Sequence, residues 1–381
     1  MKRIFTPIVL LLAFSMKFAN AQSVTKFVQP DLLETGFSNA QNLFKGYLTP
    51  WGNMFGAALN GGWYNTAKPH KLGGFDITFS ANIAFAPPSA SAFSLTPYVL
   101  SNVPTNVTAS SPSSCLVFSP TNTITNSPTI SGSTGTQVPV IDYYIKSPDN
   151  SQYYKVSSIT MPSGAGLNFF PLPMAQIGLG LFKGTEIIGR YLPTVSMSGI
   201  GSIGLWGVGI KHSLFQYLPA QKLIPIDISI LGGYTKLSSS ADINFPLSEG
   251  GYSGLISDKT TQTFNYSGQS MNLNTSAFTA SLLISTTFPI INIYGGVGYS
   301  NTETQMLLKG DYAFPTVNSS GQLVLTNSNV VQNPSGITIK NNSGIRYSIG
   351  LRLKMAIITI HADYTKDLYS VVAAGIGFSF R

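Results

Sequence analysis

Ser370-Val-Val-Ala-Ala-Gly-Ile-Gly-Phe-Ser-Phe-Arg381 is the stretch whose reading decides the fold. Val372, Ala374, Ile376, Phe378 and Phe380 take every second position, with Ala373, Gly375, Gly377 and Ser379 between them. A strand turns successive side chains to opposite faces, so this segment has one apolar face and one small or polar face. It reads as the closing strand of a transmembrane β-barrel. It also fits an ordinary half-buried strand, and the rest of the chain separates the two.

The alternation recurs upstream. Phe75, Ile77, Phe79, Ala81, Ile83 and Phe85 alternate with Asp76, Thr78, Ser80 and Asn82. Ile226, Ile228 and Ile230, then Phe278, Ala280, Leu282 and Ile284, repeat the pattern. So do Tyr347, Ile349, Leu351 and Leu353, and Ile358, Ile360, Ala362 and Tyr364. In a barrel the apolar set faces lipid and the polar set faces the lumen. That rule points ten charged or titratable residues inward: Asp76, Glu186, Arg190, Lys211, Asp227, Arg346, Arg352, Lys354, His361 and Asp363. Charges of both signs in such a space either pair and brace the wall or set solute selectivity.

Composition favours the barrel. Charged residues are 9% of the chain, against about 25% in soluble domains. A secreted β-sandwich of this size, the rival architecture, needs more surface charge to stay in solution. No stretch after residue 21 is apolar for the about 20 residues a spanning helix requires. Met1 to Ala21 reads as a secretory signal, with Lys2 and Arg3 ahead of an apolar run and Ala19-Asn20-Ala21 as the cleavage site. Its removal takes away Lys2, Arg3 and Lys17 and lowers the net charge from +8 to about +5. An exported chain with few charges and no helical span meets the backbone requirement of lipid by closing a sheet on itself. The fold class expected is therefore all-β, a transmembrane antiparallel barrel in a bacterial outer membrane.

Three pieces follow: a signal over 1–21, a plug-like or hatch-like segment over 22–50, and a barrel over 51–381. In 22–50, Leu32, Leu33, Phe37, Ala40, Leu43, Phe44, Tyr47 and Leu48 recur at helical spacing. Preceding the first strand, the segment is expected on the periplasmic side, as a lumen plug, a rest against the lower rim or a frayed lead. Thirteen strand candidates lie near 51–63, 72–86, 139–146, 151–160, 174–182, 184–192, 199–211, 225–236, 273–287, 290–303, 344–355, 356–366 and 369–380. Single-chain bacterial barrels use even numbers. Adding Ala92 to Leu100 brings the count to about 14 and gathers the polar segments 101–138, 237–270 and 309–343 on one outer side. Segment 101–138, rich in Ser, Thr, Asn and Pro, reads as a mobile external loop. Trp51, Trp63, Tyr64, Tyr191, Tyr217, Tyr234, Tyr299, Tyr364 and Tyr369 are candidates for interface girdles.

Little points to catalysis. Cys115 is the sole cysteine, and His70, His212 and His361 are the only histidines. None lies in an HExxH motif. No thiolate metal cage, phosphate loop or GxSxG elbow is present. His361 and Asp363 share a strand face near Ser348, which admits either a hydrolytic triad or a lumen network of Arg352, His361 and Asp363. The expectation is no enzyme, no cofactor, no metal and no nucleic acid. The expected partners are membrane lipid, lipopolysaccharide, the barrel assembly machinery and a hydrophobic small-molecule substrate.

Asn60-Gly-Gly-Trp-Tyr-Asn-Thr-Ala-Lys-Pro-His-Lys-Leu-Gly-Gly-Phe-Asp76, Arg190-Tyr-Leu-Pro193, Gly207-Val-Gly-Ile-Lys-His-Ser213 and Gln216-Tyr-Leu-Pro219 carry a resemblance. The chain resembles a family of Bacteroidetes outer-membrane barrels with no assigned function. That family is distantly similar to the long-chain fatty acid transporter (FadL-like) superfamily. The resemblance implies fourteen strands, an N-terminal hatch and passive uptake of small hydrophobic compounds. The Lys68-Pro-His70 turn is expected outside the barrel. Two other readings remain: a structural or partner-binding barrel with a closed lumen, and an outer-membrane hydrolase.

Overall fold

The computed structural model describes residues 37–380 except 123, 148, 198–200, 220–223, 243–255, 258–268, 314–315, 318–322, 326–329 and 334–335. The signal over 1–21 and residues 22–36 of the lead segment lie outside the described residues. Ten strands close an antiparallel barrel. They are β1 (Phe75–Phe85), β2 (Phe169–Gly180), β3 (Thr185–Met197), β4 (Gly201–Ser213), β5 (Ile226–Asp242), β6 (Ser270–Thr286), β7 (Ile291–Lys309), β8 (Ile337–Met355), β9 (Ile358–Lys366) and β10 (Ser370–Phe380). Each strand pairs with its sequence neighbours, and β1 closes the ring on β10, in register from Phe75↔Phe380 to Phe85↔Ser370. The ring closes through every strand, although the β2–β3 seam is paired only over Ala175–Gly180 and Glu186–Tyr191 and β8 runs on beyond the end of β9.

The expected fourteen strands are corrected to ten in the barrel. Ala92–Ser94 pairs with Asn126–Pro128, and Ser114–Phe118, Val140–Lys146 and Tyr153–Thr160 form a three-stranded sheet. These strands find partners among themselves and stay out of the wall. They belong to the 86–168 connection, which caps one end of the barrel. Segment 101–138, expected as a mobile loop, contributes Leu116 and Ile130 to the main apolar core, exposed by 2% and 0%.

Residues 51–63, expected as a strand, are helical up to Asn60. Helix α1 spans Phe37–Asn60 and runs through Pro50. The apolar spacing of Leu43, Phe44, Tyr47 and Leu48 continues into Trp51, Met54, Phe55, Ala58 and Leu59, which keeps one periodicity through the proline. Gly46, Gly52 and Gly56 let the helix approach its surroundings closely. A Cβ on Gly56 would lie 2.5 Å from Thr302 Oγ1.

The short connections 181–184, 287–290 and 356–357 lie at one end of the barrel with the described parts of 214–225, and the 86–168 connection leaves from the other end, where β5 and β7 finish and β6 and β8 begin. Short turns belong on the periplasmic side and long loops outside. The strands β5 to β8 are long, 17 to 19 residues, and their polarity changes along their length. On β6 the outward residues near the short-turn end are Phe278, Leu282 and Ile284, and those nearer the loops are Asn272, Asn274 and Ser276. The inward set shifts in the opposite sense, with Thr279 and Ser285 beside Leu283 near the short turns, and Met271, Leu273 and Ala277 beside Thr275 nearer the loops. The wall near the short turns is apolar on its outer face, as lipid contact requires, and the wall near the loops is built like a soluble protein with an apolar interior.

Helix α1 occupies that apolar upper interior. It touches β1, β2, β5, β6, β7, β8 and β10, so wall surrounds it on several sides. Leu43, Tyr47, Leu48 and Met54 share one core with Leu237, Met271, Leu273, Met306 and Ile339 of the wall. The same core includes Leu95, Leu116, Ile130, Ile141 and Ile159 of the cap. Ile130 N–H donates to Tyr47 O at 3.0 Å, and Tyr47 Oη donates to Ser163 O at 3.1 Å. The helix start is therefore at the long-loop end of the barrel, whereas the sequence led to the periplasmic side for this segment.

Candidate functional site

From the helix end, residues 61–74 descend through the lower bore as an extended strap before β1 turns back up. Gly61 and Gly62 begin the descent beside Asn82, and Gly62 has φ +62, a left-handed backbone that suits glycine. Trp63, 1% exposed, lies flat against Gly209 and Gly233 of the wall. A Cβ on either glycine would come within 2.7 Å or 2.6 Å of the indole. Trp63 and Tyr64 were expected in interface girdles, and the structure puts both in the bore. Tyr64 Oη bonds Ser348 Oγ. Trp51, also expected in a girdle, packs within α1 on Phe55.

Two wall arginines hold the end of the helix. Arg190 Nη1 donates to Leu59 O and Nη2 to Gly61 O, both at 2.8 Å. Its guanidinium lies 3.7 Å from the Trp63 ring centroid. Arg346 Nη1 donates to Asn60 O at 2.7 Å and to Thr279 Oγ1 at 3.2 Å. The last carbonyls of a helix have no intrahelical partner and carry partial negative charge, so cations there are stabilising. Glu186 and Arg190 were expected to face the same way; both are buried, yet each serves a different part of the strap.

At the inner mouth the strap meets a charged cluster. Lys211 Nζ lies 3.0 Å from Glu186 Oε1, and His70 Nδ1 lies 2.9 Å from Glu186 Oε2 and 3.7 Å from Asp76 Oδ1. The His70 backbone N–H donates to Glu186 Oε2 at 2.8 Å. Lys68 Nζ is 3.9 Å from Asp227 Oδ2. His70, expected on an external turn, is a bore residue at the short-turn end. Sequence reasoning passed over it because His70, Asp76 and Glu186 match no local motif; the sign available was its place in the Lys68-Pro-His70 motif just ahead of an inward Asp76. A depression of about 640 Å³ opens beside the cluster, lined in part by Lys68, Lys71, Phe182, Lys183 and Gln216.

The remaining candidates lie on β8 and β9. Arg352 and His361 are register partners and both are buried. Arg352 Nε and His361 Nδ1 make no hydrogen bond among the described residues. Asp363 stands opposite Gly350, and its Oδ2 accepts from Tyr294 Oη at 3.0 Å. Ser348 takes Tyr64 as its partner, so the triad geometry of Ser348, His361 and Asp363 is not assembled. Lys354 is half-buried at the short-turn end, where its N–H donates to Ile290 O at 2.8 Å.

Several solved outer-membrane proteins show a distant likeness. The COG4313 outer membrane channel from Pseudomonas putida F1 is 7% identical, with 83% of this chain and 99% of that chain covered and a TM-score of 0.30. The outer membrane transporter YddB from Escherichia coli is 7% identical over 78% of this chain and 39% of that chain, with a TM-score of 0.27. Ail, the attachment invasion locus protein of Yersinia pestis, is 10% identical over 47% of this chain and 82% of that chain, with a TM-score of 0.23. No curated protein matches the chain. A family model matches residues 1–380, and the chain thus belongs to the family of unknown function DUF6588.

Proposed function

We propose that the protein is a closed outer-membrane barrel that acts as a structural or partner-binding module, with the 86–168 cap as the face offered outside the cell. One observation carries this reading: among the described residues, helix α1 and the 61–74 strap both lie within the bore and are held to its wall. Helix α1 lies in the apolar upper half, and the 61–74 strap in the polar lower half. The charged residues of the wall hold these segments and each other, which is the bracing role. The reading includes no catalytic step, because Ser348 and Asp363 bond Tyr64 and Tyr294. Purified chain in planar bilayers is expected to show no steady conductance, and liposomes carrying it to stay impermeable to sugars and fatty acids. Fatty-acid uptake or an ohmic pore from the wild-type chain would refute it.

The second reading, passive uptake of small hydrophobic compounds, has one observation in its favour. Met174, Met271, Leu273, Met306 and Ile339 make the upper inner wall apolar, and an unbranched, adaptable methionine surface suits apolar guests. Withdrawal of α1 would uncover that wall. Uptake of a fluorescent fatty acid that a disulfide between α1 and the wall abolishes would favour this reading over the closed barrel.

A further inference from the structure

The geometry points to a divalent metal site at the inner mouth, built by His70, Asp76 and Glu186, for a first-row transition ion of the Zn²⁺ class. One imidazole nitrogen and one oxygen from each carboxylate all lie within 4.8 Å of one another. The His70 Nδ1 distances of 2.9 Å to Glu186 Oε2 and 3.7 Å to Asp76 Oδ1 bracket the ~3.3 Å ligand-to-ligand edge of a tetrahedron with bonds of about 2.0 Å. Mixed imidazole and carboxylate ligands suit such ions.

The surroundings sort the six donor atoms of the three side chains. Thr78 Oγ1 donates to Asp76 Oδ2 at 2.8 Å, and Lys211 holds Glu186 Oε1. The other oxygens, Asp76 Oδ1 and Glu186 Oε2, are the ones that face Nδ1. On the far side of the ring, His70 Nε2 lies 3.3 Å from Ser379 Oγ. A proton on Nε2 donated to that hydroxyl leaves the Nδ1 lone pair turned toward the carboxylates. Outer partners of this kind orient metal ligands.

Gly178 supplies a separate observation. A Cβ there would sit 2.5 Å from Asp76 Oδ1 and 3.0 Å from Glu186 Oε1, so any side chain at 178 would fill the space beside the two carboxylates. The depression next to His70 gives an ion its way in from the periplasm and room for a water as fourth ligand. Metal here ties the strap to β1 and β3 together, a clasp at the bottom of the filled bore.

The test uses the full chain, free of affinity tags, purified in detergent and washed with EDTA. Calorimetric titration with ZnCl₂ is expected to give one site per chain, tighter than for MgCl₂ or CaCl₂. His70→Ala is expected to weaken it by at least about tenfold, and His212→Ala to leave it unchanged. Wild-type chain that takes no Zn²⁺, or a His70→Ala chain that binds as wild type does, would overturn the site. If His70→Ala does not fold, Co²⁺ loaded into the wild type decides. Visible bands of nitrogen and oxygen ligation, lost on adding one equivalent of Zn²⁺, support the site, and their absence refutes it.

Discussion

Arg190→Ala isolates the hold on the helix end from the strength of the wall. The guanidinium makes two charge-assisted bonds to Leu59 O and Gly61 O and lies on the Trp63 ring. Each such bond contributes about 1.5–3 kcal/mol, and the ring contact about 0.5–2 kcal/mol. Truncation leaves two carbonyls buried without that donor. Part of the loss is regained when the arginine no longer has to be desolvated, so we expect the helix and strap to be weakened by about 3–5 kcal/mol. At about 1.4 kcal/mol per tenfold change, a middle value of 4 kcal/mol raises the population with α1 released roughly a thousandfold. The backbone ladder of the barrel loses nothing, and in the wall only the bond from Arg190 Nε to Gln176 Oε1 on β2, at 2.9 Å, goes with the side chain. Hydrogen exchange read by mass spectrometry separates the two. Peptides from 43–60 are expected to exchange much faster in Arg190→Ala, with peptides from β6 to β8 unchanged. Arg190→Lys, which keeps a charge but loses the fork, should fall between. Unchanged exchange in the helix would refute the latch. Equal loosening of helix and strands would refute its independence from the wall.

Gly233→Ala puts a methyl 2.6 Å from the Trp63 indole; overpacking of this kind costs about 1–3 kcal/mol and should lower the urea midpoint and shift the tryptophan fluorescence, whereas an unchanged midpoint would contradict the cradle. Burial pushes the Cys115 thiol up to about 11, so its thiolate is scarce at neutral pH; maleimide labelling should be slow at pH 7 and speed up steadily as pH rises toward 11, and fast labelling at pH 7 would show the cap to be open. In a Cys115→Ala background, Lys45→Cys on intact cells should react with an impermeant thiol reagent and Phe182→Cys should not, because the exposed Lys45 is at the loop end and Phe182 in a short turn; the reverse pattern would invert the barrel.

Much of this architecture was legible from residue order alone. Period-two alternation marked ten wall strands, because lipid on one side and a polar bore on the other act on every residue of a spanning strand. It also set Asp76 on β1 and Asp363 on β9 on the face opposite the apolar one, and both are buried. Alternation carries no label for what a strand pairs with, so Val140–Lys146 and Tyr153–Thr160 looked like wall and are cap. Helical spacing ran on past Pro50, but the proline and three glycines concealed it, and only contact with the wall explains why the helix persists. The route of the chain was invisible for the same reason. Whether α1 starts above or below, and where the strap lies, depends on matching an apolar helix to the apolar upper wall and charged residues to the polar lower bore. His70, Asp76 and Glu186 meet only once β1 and β3 stand two strands apart in a closed ring with the strap between them. Local order sets which face a side chain takes; closure of the ring sets which distant side chains it meets.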